Sequence, residues 1–402
     1  MSAAAPTGGD LPIRVLIVDD SGFMRIALRQ MLQAEPDIEV VGEARDGLSA
    51  MRMAQDLRPD VITMDVEMPG QDGLETTRQI LRTIEPPPPV IMVSSHTQSG
   101  AETTVKALSL GAVDFVSKSS AFLKTDLGQI DAELRQKIKL WGRKRGGRSA
   151  GAGLSAPVPP PPPPAVSLAA VSTPPAPETA LSLLRAAQRP AAGAATPEAG
   201  SKAKQPPVAR PPRQPVDVIV IGVSTGGPRI MTEFLAQIGP IGTPIVIAQH
   251  MPEVFTASFA EQLKRETGLQ VVEASHKMAL QPGMIAILPG GRDGVLAPAG
   301  GGKLEVRVVT SNRTVHPNAD MLFHSAAMLA QNPVAVILTG MGEDGTDGAA
   351  QFVRRGAPVL VQEPESCVVG GMPQAAIDAG VAGDVLSLDQ IAFRLARWSA
   401  TK

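Results

Sequence analysis

From about Gly142 to Pro215 the chain carries 17 of its 38 prolines, including an unbroken run from Pro159 to Pro164, with Ala, Gly, Ser and Lys between them. Such a stretch cannot bury enough apolar surface to offset the entropy lost on ordering it. The polyproline run is expected to be extended and semi-rigid, and its flanks flexible. The 402 residues are thereby divided into two folded units, 11–140 and 216–400, joined by a disordered Pro/Ala-rich linker, 141–215. A Leu-rich patch inside it, Ala180 to Ala187, is read as part of the linker. Just ahead, Arg135 to Arg148 holds seven basic residues and no acidic one. Lys and Arg suit a helix C-terminus, and no aromatic ladder beyond Trp141 accompanies them. A solvated helix end is expected there, not a nucleic-acid arm.

In the first unit, short apolar runs alternate with amphipathic stretches of helical length. The runs are Arg14–Val18, Val61–Met64, Val90–Val93 and Val113–Val116, with a weaker one at Ile38–Val41. The helical stretches include Ser21–Ala34, Gly47–Leu57, Leu74–Ile84 and Glu102–Leu110. Five strands alternating with helices predict an open parallel α/β sheet. The second unit repeats the pattern, with strands at Val216–Ile221, Pro244–Ala248, Met284–Leu288, Val334–Leu338 and Pro358–Val361. Its helices are expected at Pro228–Ile238, Glu253–Thr267, Asp320–Ala330 and Met372–Ala379. The fold class is α/β, two doubly wound parallel-sheet domains.

In open α/β sheets functional groups gather beyond the carboxyl ends of the strands. Asp19 and Asp20 end the first strand, Asp65 the third, Ser94 the fourth, and Lys118 follows the fifth. All five converge on one rim. Three carboxylates there repel one another unless a cation neutralises them, and hard oxygen ligands with room for water suit Mg²⁺. One carboxylate is then free to attack phosphorus in line, with the metal and Lys118 balancing charge on the transferred oxygens. The competing role, capping the helix that follows, is fair for Asp20 alone but does not account for five residues at matching strand ends.

Here the chain resembles a response-regulator receiver domain over about residues 13–120. The resemblance rests on Leu16-Ile-Val-Asp-Asp20, Asp65-Val-Glu-Met-Pro69 with Asp72-Gly73, Val93-Ser-Ser95 and Asp114-Phe-Val-Ser-Lys118. It implies a flavodoxin-like fold, phosphorylation of Asp65, and Mg²⁺ held by Asp19, Asp20, Asp65 and the backbone carbonyl of Glu67. It also implies that Ser94, Phe115 and Lys118 form the switch: the hydroxyl moves toward the phosphoryl group and the ring changes its packing. Receivers usually carry proline after the lysine; Ser119 stands there in this chain.

The second unit opens with Val218-Ile-Val-Ile-Gly-Val-Ser-Thr-Gly-Gly227. An apolar strand runs into Gly222-x-Ser224-x-Gly226 and a helix follows, which is the nucleophile-elbow pattern. The helix start directs N–H groups toward a developing oxyanion. A dinucleotide site would need an acid about 20 residues on; the first after the helix is Glu253, too far along. A serine needs a base, and of five histidines only His250 follows directly on an apolar strand, in Ile245-Val-Ile-Ala-Gln-His250. His96 lies in the other unit, His324 is mid-helix, His316 precedes a proline, and His276 has no strand directly before it. The third member should be a carboxylate. After the strand Val334–Leu338 come Glu343, Asp344 and Asp347, all suited on chemistry alone. The chain order Ser, His, Asp differs from that of ordinary α/β-hydrolases, so another α/β scaffold is expected.

These residues complete a second resemblance, over nearly the whole chain, to the chemotaxis protein-glutamate methylesterases, in which a receiver precedes a Rossmann-like methylesterase domain. It is carried by Gly222-Val-Ser-Thr-Gly-Gly227, Gln249-His-Met-Pro252, Asn312-Arg313 with Pro317 and Asp320-Met-Leu-Phe323, Leu338-Thr-Gly-Met-Gly-Glu-Asp-Gly345, and Gly371-Met-Pro373. The resemblance selects Asp344, implies a Ser224–His250–Asp344 triad and suggests Met341 by the oxyanion; the N–H near Thr225, at the helix start, is expected as the other donor. It implies hydrolysis of glutamate methyl esters and deamidation of glutamines on the cytoplasmic helices of a methyl-accepting chemoreceptor. It further implies a chemotaxis histidine kinase as phosphodonor, a receiver that covers the esterase cleft until Asp65 is phosphorylated, and no cofactor in the esterase site. The linker is longer and richer in proline than the family leads one to expect.

Composition narrows the alternatives. A formal net charge of −2 offers no global field for nucleic acid or an anionic membrane. The single cysteine, Cys367, excludes an internal disulfide and a multi-cysteine metal site and suits a reducing compartment. No apolar run nears the ~18–20 residues needed to span a bilayer, and the N-terminus lacks a basic-then-apolar signal. A cytoplasmic protein without direct membrane insertion is expected. Two rivals follow: a phosphorylation-controlled binding module with a degenerate esterase fold, and a transcription regulator. The second needs a basic recognition helix in the C-terminal unit, where no such cluster stands.

Overall fold

The alternation of buried runs and amphipathic stretches resolves into two parallel sheets. The computed structural model describes residues 11–95, 97–118, 128–146, 178–179 and 215–399; His96, Ser119, the patch 180–187 and most of the linker lie outside them. The first unit runs β1 (Ile13–Val18), α1 (Gly22–Gln33), β2 (Ile38–Ala44), α2 (Gly47–Leu57), β3 (Val61–Asp65), α3 (Gly73–Thr83), β4 (Val90–Ser95), α4 (Gln98–Leu110), β5 (Asp114–Lys118) and α5 (Gly128–Gly146). Its sheet is parallel throughout, in the order β2-β1-β3-β4-β5. The strand order reverses between β1 and β3, which opens a crevice at their carboxyl ends. Local sequence explains the helix starts. Ser21 caps α1 by accepting from Met24 N, Asp46 and Ser49 form a reciprocal box on α2, and Asp72 caps α3. Ser21, not Asp20, is thus the cap of α1, and Asp20 keeps its exposed carboxylate for other work.

One boundary needs correction. The sequence ends the first unit at residue 140, but α5 continues through Gly146. The reason is tertiary. Trp141 is buried with Ile13, Leu134 and Ile138 in one cluster, and a side chain at Gly142 would collide with Ile13 Cγ2 at 2.3 Å. The basic residues of this helix are also not simply solvated. Arg135 and Lys139 reach Glu35 at 2.7 and 2.5 Å, and Lys139 and Arg143 reach Asp37 at 2.9 and 3.0 Å.

A two-residue strand β6 (Glu178–Thr179) precedes the second unit. That unit comprises β7 (Val218–Val223), α6 (Gly227–Ile238), β8 (Ile245–Gln249), α7 (Glu253–Thr267), β9 (Val271–Glu273), β10 (Met278–Ala279), β11 (Ile285–Ile287), β12 (Asp293–Ala299) and β13 (Lys303–Thr310). It continues through α8 (Ala319–Leu329), β14 (Pro333–Ile337), α9 (Thr346–Arg355), β15 (Val359–Gln362), α10 (Gly371–Asp378), β16 (Asp384–Leu386) and α11 (Leu388–Ser399). Seven parallel strands form its sheet in the order β16-β15-β14-β7-β8-β11-β9. Here the chain reverses about β7, so the crevice lies beyond the carboxyl ends of β7, β8 and β14. The sequence does not predict the antiparallel unit β10-β13-β12, with β6 along β13. Its hairpin signal is present nonetheless: Gly300-Gly301-Gly302 separates two strand-length runs. Among the described residues no helix is long and apolar enough to cross a membrane.

The two units touch. Helix α4 of the first lies against α7 of the second. Gln262 Nε2 donates to Ser109 Oγ, and the rings of Phe115 and Phe255 stack at 4.6 Å between centroids, tilted by 35°. Both rings are buried, so one apolar cluster runs from the first sheet into the second.

Candidate active site and phospho-acceptor pocket

The first crevice is acidic, with the Lys118 ammonium among its carboxylates. The carboxylates of Asp19, Asp20 and Asp65 present ligand atoms all within 4.8 Å of one another. Lys118 Nζ sits 2.8 Å from Asp19 Oδ2 and 2.8 Å from Asp65 Oδ2. Asp65 is buried; that burial, opposed by Lys118 and reinforced by Asp19, pushes its pKa up to about 6. One lysine against three carboxylates leaves a net negative pocket of hard oxygen donors, and that donor set fits Mg²⁺. Asp65 Oδ1 also accepts from Glu67 N at 3.4 Å. The Glu67 carboxylate is anchored by the hydroxyls of Ser95 and Ser99, at 3.0 and 3.2 Å. Ser94 is fully buried, and its hydroxyl donates to Ser95 O at 3.2 Å. Phe115, next along the rim, packs on Phe255 of the other unit. Lys137, whose Nζ donates to Phe115 O at 2.6 Å and to Asp114 Oδ1 at 2.9 Å, lies 5.3 Å from the centre of its ring.

The second crevice gathers Ser224, His250 and Asp344. Ser224 directly follows β7, ahead of the turn into α6; its N–H donates to Thr339 O at 3.0 Å, and its carbonyl accepts from Gln249 Nε2 at 3.0 Å. Gly226 adopts φ +83°, a left-handed conformation that only glycine takes readily, so the chain can turn directly into α6. Gly340 is needed for approach: a Cβ there would lie 2.8 Å from Ser224 Cβ and 2.3 Å from Met372 Sδ. His250 N donates to Val223 O at 3.0 Å, which ties the histidine to the strand carrying the serine.

Asp344 is set apart from its neighbours by the start of α8. Its Oδ2 meets His250 Nε2 at 2.7 Å and accepts from Ala319 N at 2.6 Å. Its Oδ1 accepts from Asn318 Nδ2 at 2.7 Å and from the N–H groups of Asp320 and Gly345 at 3.0 Å each. Glu343 and Asp347 are exposed. Burial acts to raise the Asp344 pKa, but the hydrogen bond and charge of His250, with the N–H groups of Ala319 and Asp320, outweigh it and hold the carboxyl below its ordinary range. An ionised Asp344 makes His250 Nε2 the N–H donor of that pair. Nδ1 is then the imidazole nitrogen left to accept a proton.

The structure therefore joins His250 to Asp344 directly. It brings Ser224 to the same crevice, but among the described residues no hydrogen bond joins its hydroxyl to His250. Thr225 is buried and Met341 half-buried beside it, and among the described residues neither of their N–H groups is engaged. Sequence reasoning missed Asn318, although Asn-x-Asp ahead of an apolar run is a helix-cap signal. It also missed Asp293 and Asp320.

Asp320 has one strong donor, Gly348 N at 2.7 Å, where Asp344 has five. Burial, with the nearby Asp344 charge, pushes the Asp320 pKa up to about 7. Below about pH 7 Asp344 thus carries the charge and Asp320 the proton. A carboxyl whose folded pKa is raised costs stability as pH climbs from its unfolded value near 4 toward 7, because the unfolded chain ionises first. Asp320→Asn is expected to be more stable than the native chain at pH 7, by about 1–2 kcal/mol. The gain should vanish below about pH 4, as thermal melts across pH would register.

Comparison with known proteins identifies both units. The family model for the CheB methylesterase matches residues 219–395, and that for the response regulator receiver domain matches 15–125. A protein-glutamate methylesterase/protein-glutamine glutaminase of Alkalilimnicola ehrlichii is 40% identical over 96% of this chain and 100% of its own. One of Oleidesulfovibrio alaskensis, named protein-glutamate methylesterase/protein-glutamine glutaminase 1, is 40% identical over 94% and 97%. Among solved structures, the Thermotoga maritima CheB methylesterase catalytic domain covers 45% of this chain and 98% of its own, at 36% identity and TM-score 0.43. With both domain models matched in order and 40% identity held across nearly the full length of both chains, the protein belongs to the receiver-linked CheB methylesterase family.

Proposed function

We propose that the chain is a phosphorylation-activated serine esterase of chemotactic adaptation. It hydrolyses glutamate methyl esters on chemoreceptor helices and deamidates receptor glutamines. The observation that carries this reading is the 2.7 Å His250–Asp344 pair in the crevice where Ser224 follows β7. Ser224 Oγ, turned toward His250 Nδ1, attacks the ester carbonyl. The imidazole takes the hydroxyl proton and Asp344 stabilises the resulting cation. The oxyanion is met by the N–H groups of Thr225 and Met341; each such donor contributes roughly 10²–10³ in rate. His250 returns the proton to departing methanol. Water, deprotonated by the same imidazole, then cleaves the acyl-serine to glutamate and restores the hydroxyl. A glutamine amide follows the same course and releases ammonia. The chemistry of these steps asks for no metal in this domain.

In the receiver, Asp65 takes a phosphoryl group from a chemotaxis histidine kinase. Asp19, Asp20, Asp65 and the Glu67 carbonyl would hold Mg²⁺, whose charge would offset the phosphoryl oxygens. Lys118 stays within reach of Asp65 to pair with the same oxygens. The receiver restrains the esterase through α4, Phe115 and the end of α5. Lys144 Nζ donates to Val368 O, and the Val368 side chain lies against Gly226, where an added Cβ would meet it at 2.4 Å. Phosphorylation shifts the population from this closed arrangement to an open one. The enzyme acts in the cytoplasm on receptor segments beside the membrane. Incubation with a methyl-esterified chemoreceptor should release methanol and, from glutamine-bearing receptor, ammonia. Excess EDTA should abolish stimulation by a small phosphodonor while leaving the basal release intact. Basal release that itself required Mg²⁺ would contradict the division of labour between the two sites.

A further inference from the structure

Asp293, the first residue of β12, is a fully buried carboxylate with no part in the reaction described above. It accepts three hydrogen bonds: from Asn318 N at 2.7 Å and His316 Nδ1 at 3.0 Å on Oδ1, and from Ser311 Oγ at 2.5 Å on Oδ2. The segment 316–320 spans the two halves of the catalytic pair. At one end, His316 O accepts from Met251 N at 3.3 Å, which tethers the chain just after His250. At the other, Asn318 Nδ2 and the N–H groups of Ala319 and Asp320 hold Asp344. Asp293 Oδ1 takes a donor from each end of this bridge.

From this we propose that Asp293 and His316 form a clamp that positions His250 and Asp344 relative to each other, by fixing the bend of residues 316–318. The inference rests on the Ser224–His250–Asp344 reading and adds two positioning residues to it. Neither touches the substrate. A geometric device of this kind acts on the chemical step, because a displacement of about 1 Å at a catalytic pair can cost on the order of 10² in rate. Receptor binding is untouched.

The test is the kinetics of methanol release by the full chain from a methyl-esterified chemoreceptor, with folding followed by thermal melts. Asp293→Ala is expected to lower kcat by about 10–100-fold with KM within about twofold. Asp293→Asn keeps an acceptor for Asn318 N and His316 Nδ1, and should recover kcat to within about fivefold of the native chain. His316→Ala should lower kcat by about tenfold, and it carries the test if Asp293→Ala does not fold. In an Asp344→Ala background Asp293→Ala should cost nothing further, since the pair it positions is gone. The clamp is overturned if His316→Ala and Asp293→Ala keep native kcat. It is equally overturned if Asp293→Ala costs the same factor with and without Asp344. Native turnover by Ser224→Ala would remove the triad itself; loss in Ser224→Ala with native kcat in both clamp variants would remove the clamp alone.

Discussion

Ser224→Ala is expected to lower methanol release by about 10⁴–10⁶-fold, with no measurable change in folding or in Asp65 phosphorylation. The size follows from the role: without a nucleophile the acyl-enzyme route closes, and what remains comes from binding and the oxyanion donors. The harmlessness to folding follows from the structure. The hydroxyl has no hydrogen-bond partner among the described residues, and the residue is half-buried, so deleting one oxygen leaves no orphaned donor or acceptor. Ser224 is held through its backbone, by Thr339 O and Gln249 Nε2, and alanine keeps both bonds. A degenerate domain that only binds receptor predicts equal, background-level release from both proteins. Substantial release by both would point to another nucleophile.

Phe115→Ala is expected to raise the unphosphorylated rate by about 5–30-fold and to shrink stimulation by phosphodonor in proportion. The ring stacks on Phe255 at 4.6 Å, and both are buried where α4 meets α7. Losing an aromatic contact of this kind weakens the closed arrangement by about 1–2 kcal/mol, and each 1.4 kcal/mol is tenfold in a closed–open equilibrium. The open state makes no use of the pair, so the loss falls on the closed state alone. The same substitution leaves Asp65, Lys118 and the acidic pocket in place, so phosphorylation itself should proceed. An unchanged basal rate would mean that this contact does not restrain the esterase.

Much of this was legible in the residues, and the exceptions have physical reasons. Parallel strands buried on both faces read as short apolar runs, so the inner strands of the two sheets stand out, while the half-exposed edge strand β2 gave a weaker run. The strand-end rule then places Asp65, Ser224 and His250 without further help. Periodicity cannot separate Glu343, Asp344 and Asp347, which lie within one turn of chain; the start of α8, twenty-odd residues away in sequence, selects Asp344 by supplying its donors. The contact of Asp293 with His316 was invisible for the same reason, since only the tertiary fold brings β12 beside the loop before α8; Asn318 carried a helix-cap signal, but not its bond to Asp344. The last turns of α5 read as linker because Gly142 and a run of cations look like a helix end, yet Ile13 leaves no room for a side chain at Gly142 and Arg143 pairs with Asp37. The receiver resemblance singles out Phe115, but its partner Phe255 lies in the other unit.

The central claim is that Asp65 governs Ser224 through the receiver. The direct measurement is methanol release from a methyl-esterified chemoreceptor, with and without a small phosphodonor and Mg²⁺, for the native chain and for Asp65→Asn. The account predicts strong stimulation of the native chain and none of Asp65→Asn, which should keep the basal rate. Equal stimulation of the two proteins would contradict it.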